Sequence, residues 1–463
     1  MGNAKKITVT TISNVFVLII TFIFMLFTWN NNVSNDWTKY SSIYAICLLI
    51  YQLIILKKSR ISFWDFRLWF VILQYLFVFG RVFLNALNLD KEIFWNLMEY
   101  YDKESLYRAS TYALVFIQAI FTGMTLNIAS EKKPFKRTRS LSNECLLFIG
   151  IVMLLISIPF RISSDLQTIH AQITSGGYVS LAVDNAFFYA LGLLLPVALI
   201  YIICSEKLNK WQLVLLMIVY VVYSGVIIIF SGDRRYTVTA FIAIVLCFMK
   251  KNNIKISLKK IVMYGILVFM ALFALAAIRT GRLHVISDFS DFADLVYILF
   301  TTSNIFYETL AEFGITFFIY VAVIRYFPSQ FAFKYGATYL YAPMTIIPMS
   351  GFFFPGIQEK VSAHIDCKSI TGQALGAALG EELYGNFGFL APFGAIIVGL
   401  MLKKIFSLRE DSNNYDIAKY YSLFYILINY VRASSTEVFR LAIYALIIPW
   451  FISKIYELRR EDK

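Results

Sequence analysis

The sequence predicts an all-α fold, a polytopic transmembrane bundle of about 12–14 spans, each about 20 residues long. Three observations carry that reading. Hydrophobic residues fill 59% of the 463 positions and charged residues only 15%, whereas a soluble domain carries about 25% charged and 45–50% apolar residues. Apolar runs long enough to cross a bilayer recur along almost the whole chain. Arg and Lys gather in every second connecting loop, the bias that fixes membrane orientation. A soluble enzyme, a nucleic-acid-binding protein and a secreted disulfide scaffold are thereby excluded. The net charge of +13 reads as topology, and Cys47, Cys145, Cys204, Cys247 and Cys367 show no framework or zinc spacing.

The first run, Val9–Trp29, follows Lys5 and Lys6 and is too long for a signal-peptide core. Further spans are expected at 41–56, 68–88, 109–129, 144–160, 186–204, 211–230, 236–249 and 261–279. After them come 305–326, 336–354, 385–402, 418–433 and 438–453. The inner loops hold Lys57, Lys58, Lys132, Lys133, Lys207, Lys210, Lys250, Lys251, Lys403 and Lys404, so both termini are expected in the cytoplasm. The helix ending at Arg279 exits outward and the one ending at Lys403 enters from outside, so the crossings between them number zero or two. Two is the expectation, although Pro343 and Pro348 make 336–354 a poor straight helix that could be re-entrant. The chain reads as one integral membrane domain, 1–463, with outer segments 161–185, 280–304 and 355–384 capping an active site.

Charge placement breaks its own rule on the outer side. Lys39, Lys91, Lys103, Lys360 and Lys368 are outnumbered there by Arg81, Arg108, Arg161, Arg234, Arg235, Arg279, Arg282, Arg432 and Arg440. Arg presents a planar fork to phosphate oxygens and costs about 2.5–3.5 kcal/mol near a helix centre, so such a group asks for an anionic ligand. Pairing with Asp and Glu or snorkelling to headgroups is the competing explanation. The hairpin Ser231-Gly232-Asp233-Arg234-Arg235-Tyr236 concentrates three charges between two apolar spans. Arg279 and Arg282 share one helical face, Arg432 and Arg440 bracket the last outer turn, and Arg81 lies inside the third span behind Gly80. Glu308 and Glu312 also share a face, and Glu381 and Glu382 precede Tyr384-Gly385-Asn386-Phe387-Gly388. His170, His284 and His364 have no metal-ligand spacing, so no metal site is expected. No nucleotide motif occurs on the inner side, and no cofactor is expected. Any substrate must arrive already activated and already outside. A lipid-linked diphosphate sugar meets both conditions, with outer aromatics such as Tyr178, Tyr335 and Tyr339 able to stack on sugar faces.

These pieces resemble the bacterial O-antigen polysaccharide polymerases of the Wzy type. The likeness runs over about 160–445 and rests on Gly177-Tyr178-Val179-Ser180, Gly232-Asp233-Arg234-Arg235, Glu308 to Gly314, Tyr335-Gly336 with Tyr339-Leu340, and Pro348. The most specific piece is Glu382-Leu383-Tyr384-Gly385-Asn386-Phe387-Gly388, followed by Arg432 and Arg440. The resemblance implies a GT-C-like membrane glycosyltransferase, inverting and metal-independent, on the outer face of the bacterial plasma membrane. It would polymerise undecaprenyl-pyrophosphate-linked repeat units into O-antigen or capsule-type polysaccharide. It implies Glu382 or Glu308 as the catalytic carboxylate, with Arg234, Arg235, Arg279, Arg282, Arg432, Arg440 and Arg81 on pyrophosphate. Tyr178, Tyr335, Tyr339, Tyr384 and Asn386 would contact glycan. Lipid-linked oligosaccharides and membrane lipids are the expected partners, with a chain-length regulator and a flippase beside them. An O-antigen ligase and a flippase or other transporter of lipid-linked oligosaccharides remain as alternatives.

Overall fold

A computed structural model describes residues 9–29, 33–89, 100–126, 140–175, 186–231, 235–254, 310–347, 350–372, 376–406 and 412–461. All secondary structure among them is helical. In chain order the N-terminal part contains α1 (Val9–Trp29), α2 (Trp37–Lys58), α3 (Phe66–Ala86), α4 (Lys103–Thr125) and α5 (Asn143–Ser175). It continues with α6 (Ala186–Gly192), α7 (Leu195–Cys204), α8 (Lys210–Ser231) and α9 (Arg235–Lys251). The C-terminal part contains α10 (Phe317–Tyr326), α11 (Ala337–Tyr341), α12 (Ala363–Thr371), α13 (Leu379–Phe387), α14 (Ala391–Ile405), α15 (Asn414–Leu427) and α16 (Ser435–Glu461).

Eight of the described helical segments are long and apolar enough to cross a membrane. They are Val9–Trp29, Trp37–Lys58, Phe66–Ala86, Asn143–His170, Phe187–Cys204, Lys210–Ile227, Leu379–Ile405 and Ser435–Arg459. This is a multi-pass membrane protein. The helices α4, α9 and α15 run between the same two ends. At one end Lys207 Nζ meets Glu144 Oε1 at 2.6 Å, Lys251 Nζ donates to Asn414 Oδ1 at 2.6 Å, and Asn414 Nδ2 donates to Asn143 Oδ1 at 3.0 Å. Lys403 reaches the Leu126 carbonyl there, and the Phe66 N–H donates to the Tyr420 hydroxyl at 2.9 Å. All these residues flank loops that the charge pattern puts on the inner side, so the structure gathers them at a single Lys-rich end.

The far end is closed by a second set of contacts. Lys103 Nζ donates to Asn35 Oδ1 at 3.0 Å, Arg325 meets Asp102 at 3.3 Å, and Lys334 meets Asp366 at 2.8 Å. Burial pushes the Asp102 carboxyl upward, but hydrogen bonds from Ser105 and the Arg325 charge outweigh it and hold the group below its usual value.

One expectation is corrected here. Residues 310–326 begin against the end of α3, where Ala311 packs on Leu84, and finish against the start of α4, where Arg325 meets Asp102. The start of α4 lies beside Asn35, between α1 and α2, the same end that the C-terminus of α3 reaches, so both points lie at the far end and this stretch does not cross. The stretch 336–347 does not cross either. It is the single turn α11 and a 3-10 turn, Ala342–Ile346. Its Thr345 carbonyl accepts from Arg440 Nε at 2.8 Å and its Ile346 carbonyl from the Tyr444 hydroxyl at 2.5 Å. The reason is local: Tyr335 and Gly336 take left-handed backbone angles (φ 48° and 85°) and Pro343 follows, which breaks up a longer helix. Neither described stretch, 310–326 or 336–347, crosses, and residues 280–309 lie outside the described ones. The expected span 261–279 lies outside the described residues.

Lipid does not drive helices together as water does, so close backbone approach at small residues carries much of the packing. At the α4–α14 crossing a Cβ on Gly123 would overlap the Ile396 carbonyl oxygen, and one on Gly399 the Ile120 carbonyl oxygen. Gly80 meets Gly314 in the same way and places neighbouring Arg81 in the interior. Gly123→Val is expected to separate α4 from α14 and cost more than the 1–3 kcal/mol typical of overpacking. Gly225→Ala meets nothing within 4 Å and should gain about 1 kcal/mol of helix propensity. Thermal melting of the detergent-solubilised protein checks both.

Candidate functional site

The most specific sequence motif folds into α13 and its C-terminal turn, Gly388–Leu390. Gly380 makes the packing possible. A Cβ there would strike the Tyr320 ring, and the Gly380 carbonyl accepts from the Tyr112 hydroxyl at 2.7 Å. Held this way, α13 buries both of its acidic residues: Glu381 and Glu382 are each only 1% exposed. Burying a carboxylate is costly unless its oxygens are satisfied, so each oxygen matters.

Glu382 Oε2 accepts from the Ser435 N–H at 2.9 Å and the Ser435 hydroxyl at 2.7 Å. Ser435 opens α16, where backbone N–H groups lack partners and the helix dipole favours negative charge. The other oxygen, Oε1, has no hydrogen-bond partner, and neither does Glu381 Oε2. Glu381 Oε1 accepts weakly from the Ala378 N–H at 3.3 Å. The buried Tyr339 hydroxyl is likewise without a hydrogen-bond partner, and its ring stacks on Phe387 at 6.2 Å. Tyr430 binds Ser435 from the opposite side. Glu382 thus has one oxygen clamped by Ser435 and one without a partner of full hydrogen-bond geometry, while the Thr338 hydroxyl, which accepts from Asn386, also reaches the carboxyl.

Asn386, fully buried one turn after Glu382, staples the neighbouring loop. Its Nδ2 donates to the Glu382 carbonyl and to Thr338 Oγ1, both at 2.7 Å. Its Oδ1 accepts from the Gly336 N–H at 2.9 Å, and its carbonyl from the Tyr335 N–H at 3.0 Å. That geometry leaves Tyr335 80% exposed beside the site.

The structure brings several expected residues to this end and separates others. Arg440 is half-buried and donates to Thr345, five residues along the chain from Ser435. Arg432 lies over the Phe77 ring at 5.9 Å. Arg81, one turn beyond Phe77 on α3, is 1% exposed, donates from Nε to the Ala311 carbonyl at 2.8 Å and stacks over Phe318 at 5.7 Å. Tyr384 points away from Glu382 into an aromatic cluster with Tyr112 (5.0 Å), Phe333 (6.0 Å) and Trp29 (6.4 Å), where it packs the helix in place. Tyr178, Arg234, Arg279, Arg282 and Glu308 lie outside the described residues, and of Arg235 only the backbone at the start of α9 is described. Sequence reading missed Ser435, Thr338 and Tyr430. The polar run Ser434-Ser435-Thr436 between two apolar spans was the available signal for the first.

The profile of the O-antigen polysaccharide polymerase Wzy family matches residues 9–457, nearly the whole chain. The chain belongs to that family. The match begins at α1, so it also covers the N-terminal helices, which the motifs alone did not reach. No curated protein and no solved structure gives a match. Membership makes this a polymerising glycosyltransferase-type enzyme that joins O-antigen repeat units and acts on lipid-linked oligosaccharides in the membrane.

Ser435→Ala removes the hydroxyl but keeps the backbone N–H on Glu382, so it should cost about 1.5–3 kcal/mol, the worth of a hydrogen bond to a charged group. Asn386→Asp preserves shape, removes both Nδ2 donors and sets a second carboxylate beside Glu382, so it should be the worse of the two. Melting temperature together with the length of the surface glycan ladder reports the order.

Proposed function

We propose that the far end faces outward from the bacterial plasma membrane, with both termini cytoplasmic, and that Glu382 is the general base of an inverting glycosyl transfer. The carrying observation is the buried carboxyl clamped by Ser435 through one oxygen, with the other oxygen and the Tyr339 hydroxyl, which feels the Glu382 charge, both without hydrogen-bond partners. A base must be held still and yet keep a lone pair for the substrate, and this arrangement does both. The acceptor hydroxyl of one lipid-linked repeat unit attacks the anomeric carbon of the growing glycan. Its proton passes to Glu382, and the bond to undecaprenyl pyrophosphate breaks with the electron pair leaving on the diphosphate.

Arg234, Arg235, Arg279 and Arg282 stabilise that leaving charge, while Arg432 and Arg440 hold the acceptor's diphosphate, with Arg81 as a further pyrophosphate-binding arginine. Fixed guanidinium charges do here what a divalent metal does in other phosphate sites, so the chemistry runs without one. Glu308 orients the acceptor, and Tyr178, Tyr335, Tyr339 and Asn386 line the glycan path. A flippase delivers the units and a chain-length regulator ends the chain.

A deletion strain should carry glycans capped by single repeat units with no ladder on a gel. The wild-type gene should restore the ladder and Glu382→Ala should not. Full-length polymer stranded on the lipid carrier would instead mean a ligase, and units trapped inside a flippase. Arg279→Lys keeps charge but loses the two-pronged contact, so it should cut polymer yield at least tenfold at equal expression. Normal activity of Lys at 279, 282 and 234 overturns the pyrophosphate assignment.

A further inference from the structure

Residues 337–347 and 350–353 do not cross, yet they are folded inside out. Thr338, Thr345 and Ser350 are buried, whereas Leu340 is 71% exposed, Phe352 78% and Phe353 61%, and Ile347 is exposed too. A loop in water does the reverse, turning hydroxyls out and large apolar side chains in. The pattern belongs to one packed unit. The turn Ser350–Phe353 packs on Ala342–Ile346 and on the turn Ile357–Lys360, and α11 packs on the same two. The Phe352 and Phe353 rings meet edge to face at 5.5 Å. Large apolar side chains clustered on a non-spanning segment mark a contact surface.

The depth of this unit is set by α16. Arg440 Nε donates to the Thr345 carbonyl and the Tyr444 hydroxyl to the Ile346 carbonyl. Tyr444 lies nine residues after Ser435, the first residue of α16, which is about 13.5 Å along the axis at about 1.5 Å per residue. It also falls inside the run 441–453, which holds no charge. The Ile346 carbonyl therefore sits beside the apolar part of a membrane span, where water supplies no hydrogen bonds. Irregular backbone is tolerated at such depth only when protein answers its polar groups, and Arg440 and Tyr444 give that answer. Ile447 and Phe451 lie three and seven residues beyond Tyr444, on the same face of α16, and both are exposed as lipid-facing side chains are. The unit thus covers the upper part of a stripe whose lower part meets lipid. At its rim Lys360 is exposed, with Nζ over the Tyr341 ring at 5.4 Å. A cation on an aromatic ring suits the headgroup level.

We propose that this unit is a wedge sunk into the bilayer leaflet at the far end, a membrane contact separate from the spans. Leu340, Ile347, Phe352 and Phe353 lie against the acyl chains of that leaflet, and Lys360 lies among its phosphate headgroups. The proposal holds whichever side of the membrane the far end faces and whatever reaction Glu382 serves. It also makes the single turn α11 the wall between lipid and the buried carboxyl. Leu340 takes the lipid side, while Thr338 and Tyr339 meet Asn386 and Phe387 on α13.

The test reads the surroundings of single side chains and needs no turnover. Cys47, the exposed cysteine, is first replaced by Ala in the full-length protein. A nitroxide is then attached at Leu340→Cys, Phe352→Cys or Phe353→Cys in liposomes of phosphatidylethanolamine and phosphatidylglycerol. Electron paramagnetic resonance measures its collisions with oxygen, which concentrates in lipid, and with a water-soluble nickel chelate. Ile447→Cys on the lipid-facing stripe and Lys368→Cys on α12 serve as the lipid and water references. The ratio of oxygen to nickel collisions at 340, 352 and 353 should match Ile447 and exceed Lys368 about tenfold, since carrying a polar chelate into hydrocarbon costs more than a factor of ten. A ratio equal to that at Lys368 overturns the proposal, because the unit would then stand in water. Exclusion of both reagents also overturns it, because protein, from this chain or a second copy, would then cover the surface. Each position is read by itself, so a variant that fails to fold leaves the other two decisive.

Discussion

The structure turns on one contact, the carboxyl of Glu382 against the N-terminus of the last helix. Two buried hydrogen bonds from Ser435 tie α13 to α16 across 53 residues of chain. In a low-dielectric interior an unanswered helix N-terminus and an unanswered carboxylate are each expensive, and here each answers the other. The rest of the far end is built around that pair. Tyr112 and Tyr320 press on Gly380 to set α13 in place, Asn386 fastens the 334–338 loop over it, and Arg440 and Tyr444 hold the following turn from α16.

The contact alone would make Glu382 a helix cap. Two further facts support the proposed chemical use: its second oxygen and the Tyr339 hydroxyl are both buried without hydrogen-bond partners. Native interiors leave few polar atoms in that state; others occur elsewhere among the described residues, but here three of them, on Glu381, Glu382 and Tyr339, belong to residues gathered around α13.

Much of this was legible in the sequence. Apolar runs and the Lys bias gave the helices and the grouping of inner loops, because burial in lipid and orientation act on composition directly. The stretch from Glu381 to Gly388 was readable for the same reason that it matters: two adjacent carboxylates and two glycines in an apolar setting are expensive unless geometry requires them. The failures were of another kind. Residues 305–354 look apolar enough to cross, yet residues 310–326 run from the end of α3 to the start of α4, a path set by Ala311 on Leu84 and Arg325 on Asp102, partners more than 200 residues away. Tyr384 sits in the motif but faces Tyr112 and Trp29, since neighbours on one helix point in different directions. Ser435 and Thr338 are ordinary residues until the fold sets them beside a carboxylate.

The central claim is that Glu382 takes the proton of the acceptor and does more than cap a helix. The most direct measurement is single-turnover formation of the two-repeat product by purified Glu382→Gln protein, with bound lipid-linked repeat unit measured on the same sample. Gln keeps an oxygen for Ser435 but cannot accept the proton, so bound lipid should match wild type while product formation falls about 10²–10⁴-fold, the usual worth of a general base. Product formed at the wild-type rate would show that the carboxyl is structural and that the base lies elsewhere.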